Sequence, residues 1–394
     1  MRVLHLIETA DPRYGGPVEG AIQTAEAWKA MGCEQDLLTL DRPDASFFDR
    51  YPGKVHALGH DRTGTPWRRY GYTPGLAARI REIARGYDAV IVAGMWTYLV
   101  LAARRALTKR SIPLLVYPHG TLDPWFRKVK PIKHVVKQVF WLFSEGPLFN
   151  GADCILFTTE EERQLADKAF WPYHPRGRVV GYGTSDVPPE IDRQRQAFDA
   201  AFPQFKGEAF LLFLSRLHPK KGCDLLVEAL GQLAGEGAIP HLVVAGQGDE
   251  EMAKLSRRAV ELNLADRIHF IGMITDDVKW GALRRCDAFI LMSHQENFGV
   301  AVAEAMACSK PVLISNKVNI WREIEADRAG IVGHDTVEGA KVAIRQYLAM
   351  SSEAKHAMGE RSRASFLRRF TVEASARIVL GVIEELRASR RKAV

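Results

Sequence analysis

The sequence predicts an α/β protein of two domains, each a parallel sheet covered by helices. A chain of 394 residues is too long for one ordinary core and suits two domains. Short apolar runs alternate with amphipathic helical patterns from end to end, which favours parallel sheets with helices on both faces. A Gly/Pro-rich stretch from Gly183 to Glu190 separates two such series.

The apolar runs define the predicted strands. In the first half they are Val3–Ile7, Asp36–Leu40, Ala89–Ala93, Leu114–Tyr117 and Cys154–Phe157. In the second half they are Phe210–Leu214, Leu242–Ala245, Ile268–Ile271, Ala288–Leu291 and Val312–Ile314. Helical spacing is clearest in Gly20–Met31, Tyr98–Thr108, Asp224–Leu233 and Glu250–Leu262. We therefore expect domains at residues 1–185 and 205–370, with a last helix in 371–394.

Composition narrows the class of protein. Hydrophobic residues make up 47% and charged residues 26%, as in soluble globular proteins. The start, Met1 to Ile7, lacks a small-residue cleavage site and predicts a first strand rather than a signal peptide. Apolar runs such as Leu211 to Leu214 are too short to cross a bilayer. The five cysteines are odd in number and scattered, which predicts free thiols in a reducing cytoplasm, with neither a disulfide framework nor a zinc site.

Charge is mixed in sign over most of the chain. The net charge is +7, from 54 basic and 47 acidic residues, with local basic excess at 127–137 and 387–392. Such patches suit nucleic acid, anionic lipid or a phosphate-bearing substrate. Because no zinc-finger spacing or RNP-like aromatic signature is present, we expect no nucleic-acid partner.

In open α/β sheets ligands bind beyond the carboxyl ends of the strands, so the loops there hold the candidate residues. After Ala288–Leu291 comes a loop with Glu296, then a helix from Gly299 in which Glu304 is the one charged residue. A buried carboxylate needs backbone amides, a cation or ligand hydroxyls as partners. The helix N-terminus favours a phosphate, and the flanking carboxylates suit the hydroxyls of a sugar and a ribose. The alternative makes Glu304 a structural ion-pair partner and Glu296 a surface residue.

The loop after Phe210–Leu214 carries a second candidate cluster. Arg216 follows the strand directly, and Lys221 with Gly222 precedes a helix that Asp224 can cap. An arginine fork and a lysine point charge suit a diphosphate. The alternative is a solvated basic turn.

Glycines mark two further loops of the second half. Gly246 and Gly248 follow Leu242–Ala245, and Gly272 with Met273 follows Ile268–Ile271, where backbone can approach a base. A simple tight turn is the alternative in both places. The third glycine of a dinucleotide fingerprint is missing, which argues against a dehydrogenase.

Two loops of the first half have the same position after a strand. Gly15 and Gly16 follow the first strand, and paired glycines let backbone come close to a phosphate or a sugar. His119 follows Leu114–Tyr117 and is placed for polar chemistry at a sheet edge. A tight turn and a satisfied structural histidine are the alternatives.

Taken in order, these loops resemble the retaining glycosyltransferases of family 4, the group 1 type with the GT-B fold. The resemblance implies two Rossmann-like parallel-sheet domains that face an interdomain cleft. Residues 1–185 would be the acceptor-side domain, 205–370 the nucleotide-sugar domain, and 371–394 a helix that returns to the first domain.

The resemblance also implies roles for individual residues. Glu304 would hold the ribose, Arg216 and Lys221 would neutralise the diphosphate, and His119 would lie beside the reacting sugar. Glu296 and the backbone of Asn297, Phe298, Gly299 and Val300 would hold the donor sugar and phosphate. Asn297 stands where many relatives have glycine, which leaves the preferred sugar open. The donor-binding residues predicted overall are Gly15, Gly16, Arg216, Lys221, Gly246, Gly248, Gly272, Met273, Glu296, Asn297, Phe298, Gly299, Val300 and Glu304; the catalytic ones are His119, Glu296, Arg216 and Lys221.

The expected reaction moves a sugar from a nucleotide-diphosphate sugar to a saccharide or polyprenyl-linked acceptor, in bacterial-type surface polysaccharide biosynthesis. No Asp-x-Asp motif lies on a strand-end loop, so we expect neither metal nor cofactor, with Arg216, Lys221 and the helix N-terminus stabilising the leaving group. Asp276 and Asp277 predict a helix start instead. A nucleotide-sugar epimerase of the same fold and a non-catalytic nucleotide-sugar-binding protein are the alternatives.

One segment predicts contact with a membrane. Apolar residues recur at helical spacing from Ile132 to Phe143, with Lys133, Lys137 and Gln138 opposite, after the basic and aromatic stretch from Trp125 to Lys130. We expect residues 125–149 to bind anionic lipid at the inner face of the cytoplasmic membrane. Packing of this helix against the first sheet is the alternative.

Overall fold

The computed structural model describes residues 1–14, 16–61, 63–107, 112–124, 127, 131–173, 176–237 and 239–392. It divides into two compact units. The first unit is Met1–Gly183 together with Val372–Val394, and the second is Thr184–Thr371. The fold class expected from the sequence, two parallel-sheet α/β domains, is confirmed.

The first unit has a seven-stranded sheet in the order β3-β2-β1-β4-β5-β6-β7, and every pair is parallel. Its strands are β1 Arg2–Leu6, β2 Glu34–Thr39, β3 Val55–Ala57, β4 Ala89–Ala93, β5 Leu114–Tyr117, β6 Cys154–Phe157 and β7 Gly177–Val179. Its helices before the break are α1 Gly16–Ala30, α2 Pro66–Arg69, α3 Leu76–Ala84, α4 Tyr98–Leu107, α5 Pro131–Phe140, α6 Gly146–Gly151 and α7 Glu160–Ala166. A π-helical turn, Trp141–Glu145, joins α5 to α6.

The second unit has a six-stranded parallel sheet in the order β10-β9-β8-β11-β12-β13. Its strands are β8 Phe210–Leu214, β9 His241–Ala245, β10 Ile268–Gly272, β11 Ala288–Leu291, β12 Val312–Ser315 and β13 Gly330–Gly333. Its helices are α8 Ile191–Ala201, α9 Cys223–Ala234, α10 Asp249–Glu261, α11 Asp276–Arg285, α12 Val300–Ala307, α13 Trp321–Ala326, α14 Val337–Leu348 and α15 Ser352–Arg369. Short 3₁₀ turns lie at Pro12–Tyr14, Ser46–Arg50, Pro203–Phe205 and Pro219–Lys221.

Strand order decides where each sheet can bind a ligand. In the first sheet β1 lies between β2 and β4, and in the second β8 lies between β9 and β11. The order reverses at these points, so the helices that follow the two neighbouring strands leave on opposite faces and a crevice opens at the carboxyl edge. The loops after β8 and β11, which carry Lys221 and Glu296, therefore meet at the switch point of the second sheet.

The last helix, α16 Val372–Lys392, belongs to the first unit. Val379, Val382 and Ile383 are buried in one apolar cluster with Trp28, whose indole Nε1 donates to the carbonyl of Ala376 at 3.0 Å. Ile378, on the same helix, is 48% exposed and lies off this contact. Of the helices in the described part of the chain, none has the length and apolar character needed to cross a membrane.

Candidate functional site

The loops after β8, β9 and β10 are joined by backbone hydrogen bonds. The amide of Leu217 donates to the carbonyl of Gln247 at 2.6 Å, and the amide of Gly246 donates to that of Gly272 at 2.8 Å. Gly246 has φ +158°, and a Cβ there would lie 1.8 Å from the carbonyl oxygen of Ser215. Close packing of the two loops thus requires a glycine at position 246, in agreement with the tight-turn alternative. The donor-binding role of Gly246 stays a prediction.

The other three predicted positions at the ends of β9 and β10 differ in how open they are. Gly248 has φ +140°, and a Cβ there would lie 2.3 Å from the carbonyl oxygen of Leu217. Gly272 has φ +74°, and among the described residues no atom beyond its chain neighbours lies within 4 Å of the place its Cβ would take. Met273 beside it is exposed. Gly272 and Met273 therefore leave room for a flat ligand at this edge of the sheet.

The loop after β11 is held to the loop after β8. The carbonyl of Lys220 accepts from the amide of His294 at 2.8 Å and from Oγ of Ser293 at 2.9 Å. Gly222 has φ +66°, and a Cβ there would lie 2.0 Å from the carbonyl oxygen of Met292. The two loops thus approach each other backbone to backbone, which fixes the residues they carry.

Lys221 and Glu296, predicted from separate loops, lie in direct contact. The Lys221 ammonium donates to the Glu296 carboxylate, and their side chains are only 14% and 20% exposed. The Glu296 backbone is fixed as well, since its amide donates to Lys317 at 2.9 Å and its carbonyl accepts from Asn319 at 3.0 Å. The structure therefore brings a cation and a carboxylate to the switch point of this sheet, in a rigid setting.

The helix after this loop begins as the sequence predicts. Gly299 has φ +83° and is the N-cap of α12, which begins at Val300, and the amide of Val302 donates to the Gly299 carbonyl at 2.8 Å. Phe298 is buried, with its ring centroid 5.7 Å from that of Phe370. The Asn297 side chain accepts from Asn319 Nδ2 at 3.4 Å, and Arg216 is exposed on the loop after β8.

The prediction that Asp224 caps α9 is wrong. The N-cap residue is Gly222, and no side chain caps this helix. Oδ1 of Asp224 is buried and has no hydrogen-bond partner in the described structure. Glycine in the left-handed conformation has already turned the chain two residues earlier, which places Asp224 inside the helix.

Glu304 has a partner that the sequence analysis missed. The carboxylate is 9% exposed, and its Oε1 accepts from Nζ of Lys279 at 2.7 Å. Lys279 lies on α11, and its ammonium also sits 4.3 Å from the centroid of the Trp280 ring. The ion pair named as the alternative therefore exists, and the predicted ribose contact stays a prediction.

In the first unit, His119 is held by aromatic rings. Its ring stacks on Tyr117 at 4.9 Å and 10° and meets the edge of Tyr182 at 6.1 Å. Its backbone is left-handed, with φ +47°. Burial lowers the pKa of His119 to about 4, so the imidazole is neutral at physiological pH.

The glycines after β1 lie near the same ring. Gly16 is the first residue of α1, and its carbonyl accepts from Oη of Tyr182 at 2.6 Å. Apart from its chain neighbours and its own helix backbone, no atom of the described residues lies within 4 Å of the place a Gly16 Cβ would take, so the backbone there is open to approach. Gly15 lies outside the described residues.

A buried carboxylate that the sequence analysis missed fixes the His119 loop. Glu162 accepts from the amide of Gly120 at 2.5 Å and from the amide and hydroxyl of Thr158 at 2.7 and 2.6 Å. The only sequence signal is a run of three glutamates, Glu160 to Glu162, at the start of a helix. Nothing in that run distinguishes the inward member.

Another buried carboxylate holds the loop after β4. Glu145 is fully buried, and its Oε1 accepts from the amide of Trp96 at 3.2 Å, where Trp96 has φ +70°. Burial raises the pKa of Glu145 to about 7, with Lys137 opposing the shift. Because the folded pKa exceeds that of the unfolded chain, ionisation favours unfolding, and the free energy of unfolding falls as pH rises from about 4.5 to about 7.

Glu145→Gln is expected to remove this fall, because the amide stays neutral at every pH. Relative to the parent chain, the variant should gain about 2 kcal/mol of unfolding free energy between pH 5 and pH 8. Urea unfolding at the two pH values measures it, with the exposed Glu26→Gln as the matched control. An equal difference at both pH values would contradict the assignment.

The state of the cysteines and the presence of a metal site can be read directly from the described residues. All five cysteines are buried free thiols. Within the described ranges, no group of three or more His, Cys, Asp or Glu side chains could hold a metal ion.

Comparisons with known proteins agree with this architecture. A family model described as glycosyl transferases group 1 matches residues 194–365, and a glycosyl transferase 4-like domain matches residues 15–183. The D-inositol 3-phosphate glycosyltransferase of Geodermatophilus obscurus is 29% identical over 60% of this chain and 54% of its own length. This chain thus spans about half the length of that relative.

Two other matches extend over almost the whole chain. The GDP-mannose-dependent alpha-(1-6)-phosphatidylinositol dimannoside mannosyltransferase of Mycobacterium tuberculosis is 25% identical over 99% of this chain and 98% of its own length. Anabaena Alr3699/HepE, solved in complex with UDP and glucose, has a TM-score of 0.72 at 18% identity and covers 98% of this chain and 99% of that chain. The two family models together account for most of the sequence, and the chain belongs to the group 1 glycosyl transferases with the GT-B fold.

Proposed function

We propose that this glycosyltransferase is retaining and metal-independent and moves a sugar from a nucleotide-diphosphate sugar to a saccharide or lipid-linked saccharide. The observation that carries the proposal is the Lys221–Glu296 pair at the switch point of the second sheet, beside the open N-terminus of α12. The Anabaena neighbour, solved with UDP and glucose, supports a nucleotide-sugar donor.

Negative charge grows on the diphosphate as the sugar–phosphate bond breaks, and preorganised donors must stabilise it. Lys221 is fixed by its contact with Glu296, Arg216 is exposed on the same loop, and α12 begins at Val300, where the leading amides of a helix have no acceptor four residues back. These groups supply positive potential without a metal ion. Glu296 then has a carboxylate oxygen for a hydroxyl of the donor sugar.

His119 suits a polar but uncharged role. With its pKa lowered to about 4, the ring is neutral, with one donor and one acceptor nitrogen, and can bond a sugar hydroxyl without carrying charge. A neutral ring adds no positive charge beside a sugar that becomes cationic in the transition state. We assign no covalent nucleophile and infer attack by the acceptor on the face that the diphosphate leaves.

A panel of nucleotide sugars followed by thermal shift tests the donor, because a ligand of the native state raises Tm. The donor that binds is then incubated with and without saccharide acceptors, in the presence of EDTA. Transfer with retained anomeric configuration supports the proposal. If the donor is epimerised in the absence of acceptor, the result supports an epimerase. If the donor binds but neither reaction occurs, the result supports a non-catalytic binding protein. Loss of transfer in EDTA would overturn metal independence.

The acceptor side rests on α5, whose apolar face points outward. Exposed fractions are 82% for Ile132, 63% for Val135, 53% for Val136, 51% for Val139, 44% for Phe140 and 70% for Phe143. The polar side is the packed one, since Gln138 exchanges hydrogen bonds with the backbone of Trp171 and Lys137 lies 4.5 Å from the centroid of the Trp96 ring. The alternative of an apolar face packed on the sheet is therefore wrong for these residues.

An outward apolar face in a segment that also exposes Lys133 and Arg127 fits an anionic membrane, and we propose that the chain acts there on a polyprenyl-linked acceptor in surface polysaccharide biosynthesis. The Mycobacterium tuberculosis relative, named for a phosphatidylinositol dimannoside acceptor, supports a lipid-linked saccharide. Of the predicted segment 125–149, Trp125, Phe126 and 128–130 lie outside the described residues.

The double variant Ile132→Ser, Val136→Ser is expected to weaken binding to phosphatidylglycerol vesicles by about tenfold or more, since each apolar side chain contributes roughly 1.5 kcal/mol when buried in lipid. Vesicle co-sedimentation measures the bound fraction. Val260→Ser, an exposed apolar position on α10, is the control and should leave binding unchanged. If the bound fraction is the same with phosphatidylcholine and phosphatidylglycerol vesicles, the proposal of an anionic membrane is contradicted.

A further inference from the structure

A small cavity lies beneath the His119 loop in the first unit. Its volume is about 30 Å³, and the lining residues that matter here are His5, Gln35, Ile91, Tyr117, His119 and Tyr182. They come from β1, β2, β4, β5 and the loops after β5 and β7. None of the sequence motifs includes His5 or Gln35.

Four buried polar atoms on this cavity have no hydrogen-bond partner in the described structure. They are Nδ1 and Nε2 of His5, Oε1 of Gln35 and Nε2 of His119. His5 is 6% exposed and Gln35 is 2% exposed. Buried polar groups are nearly always satisfied by protein or by ordered water, so a cluster of four from three elements needs an explanation.

The orientation of Gln35 shows which chemistry is needed. Its Nε2 donates to the carbonyl of Ala21 at 3.0 Å and also contacts Oη of Tyr51 at 2.9 Å. Oε1 therefore faces the cavity as an acceptor, near enough to His5 to oppose the lowering of the pKa of that imidazole, yet without a hydrogen bond of good geometry. Burial lowers the pKa of His5 to about 3 and that of His119 to about 4, so each ring contributes one donor and one acceptor and no charge.

A water molecule meets these requirements. A cavity of about 30 Å³ has room for one, because a single water needs roughly 10–15 Å³ of such volume and two to four polar partners. A water can donate to Gln35 Oε1 and bond both imidazoles at once. An apolar ligand or an ion does not match a neutral set of donors and acceptors.

We propose that His5 is a positioning residue for His119: with Gln35 it holds a buried water that bonds Nε2 of His119 and fixes the tautomer of that ring. The other nitrogen of His119, Nδ1, then has one fixed protonation state when it meets the donor sugar. This role at the donor sugar rests on the proposed function. Stacking on Tyr117 and the edge contact with Tyr182 limit rotation of the His119 ring and so fix its plane. The water therefore determines only which ring nitrogen carries the proton. Tyr182 also bonds the Gly16 carbonyl, which places the cavity under both loops of the first unit.

Two readouts test the water and the tautomer without any substrate. A crystal structure of the full chain should show one ordered water within hydrogen-bond distance of His5 and His119. Nitrogen-15 NMR should show one neutral tautomer of His119 in the parent chain and a mixture in His5→Phe, which keeps a ring but removes both nitrogens. His5→Asn, whose amide is too short to replace the imidazole, gives the same comparison should His5→Phe fail to fold.

Kinetics with the donor found above supplies the third readout. His5→Phe should lower kcat about tenfold with KM for the donor changed less than about twofold, and His5→Gln, which keeps a donor and an acceptor, should recover most of the rate. Ile91→Ala lines the same cavity without a polar atom and is the control for packing. An unchanged tautomer in His5→Phe, or the same kcat loss in Ile91→Ala, would overturn the proposal, and a failed donor panel leaves the two structural readouts intact.

Discussion

Lys221→Met is expected to lower kcat/KM for sugar transfer by about 100-fold or more, the loss typical of removing one preorganised donor from a developing oxyanion. Methionine keeps the length of the side chain and removes the charge. It also leaves the half-buried Glu296 carboxylate without its cation. Two effects then add, because the leaving group loses its counter-charge and the carboxylate loses the group that fixes it.

Steady-state kinetics with the donor identified by the nucleotide-sugar panel measures this loss. Lys206→Met is the matched control, since Lys206 is an exposed lysine of the second unit that lies outside the strand-end loops. The control should stay within about threefold of the parent. Thermal unfolding of both variants separates a catalytic loss from a folding defect, and equal losses of kcat/KM in the two variants would contradict the assignment to Lys221.

Glu304→Gln and Lys279→Met are expected to separate the two roles open for Glu304. Both variants break the 2.7 Å ion pair, and both should lower the free energy of unfolding by about 2 kcal/mol, because each leaves a largely buried charge without its partner. Only Glu304→Gln should lower the affinity for the donor by about tenfold or more, since a hydrogen bond between a carboxylate and a ribose hydroxyl contributes roughly 1.5–3 kcal/mol.

Donor titration and urea unfolding of the two single variants and the double variant complete the comparison. Glu228→Gln is the control, because Glu228 forms an ion pair with Arg258 that is open to solvent. It should change neither quantity by a measurable amount. If Glu304→Gln and Lys279→Met reduce donor affinity equally, Glu304 acts through the ion pair, and the ribose contact is excluded.

Some strands could be predicted from the sequence and others could not, for a physical reason. Central strands such as β4 and β8 are buried on both faces, so each reads as an unbroken apolar run. The three strands that the sequence analysis missed, β3, β7 and β13, lie at sheet edges, have three or four residues and are partly exposed. A short edge strand has too little apolar surface to leave a pattern.

Side-chain partners were the least predictable part of the candidate site. The pattern around Glu304 shows that a buried carboxylate needs a partner, yet Lys279 lies on a different helix. Periodicity relates residues within one helix or strand and carries no information on which lysine of a neighbouring helix reaches across. His5 and Gln35 read from the sequence as ordinary positions in two strands, and they meet His119 only because β1 lies between β2 and β4 in the sheet.

The sequence by itself determined the α/β class, the order of the strand-end loops and the residue types at Lys221, Glu296 and His119, because each depends on local pattern. The tertiary structure alone decided that Lys221 contacts Glu296, that Lys279 pairs with Glu304 and that the apolar face of α5 points outward. An amphipathic pattern is the same whichever face is packed, and only the contacts of Gln138 and Lys137 show that the polar side is held. Contacts between residues far apart in sequence arise from sheet order and loop closure, which local spacing does not encode.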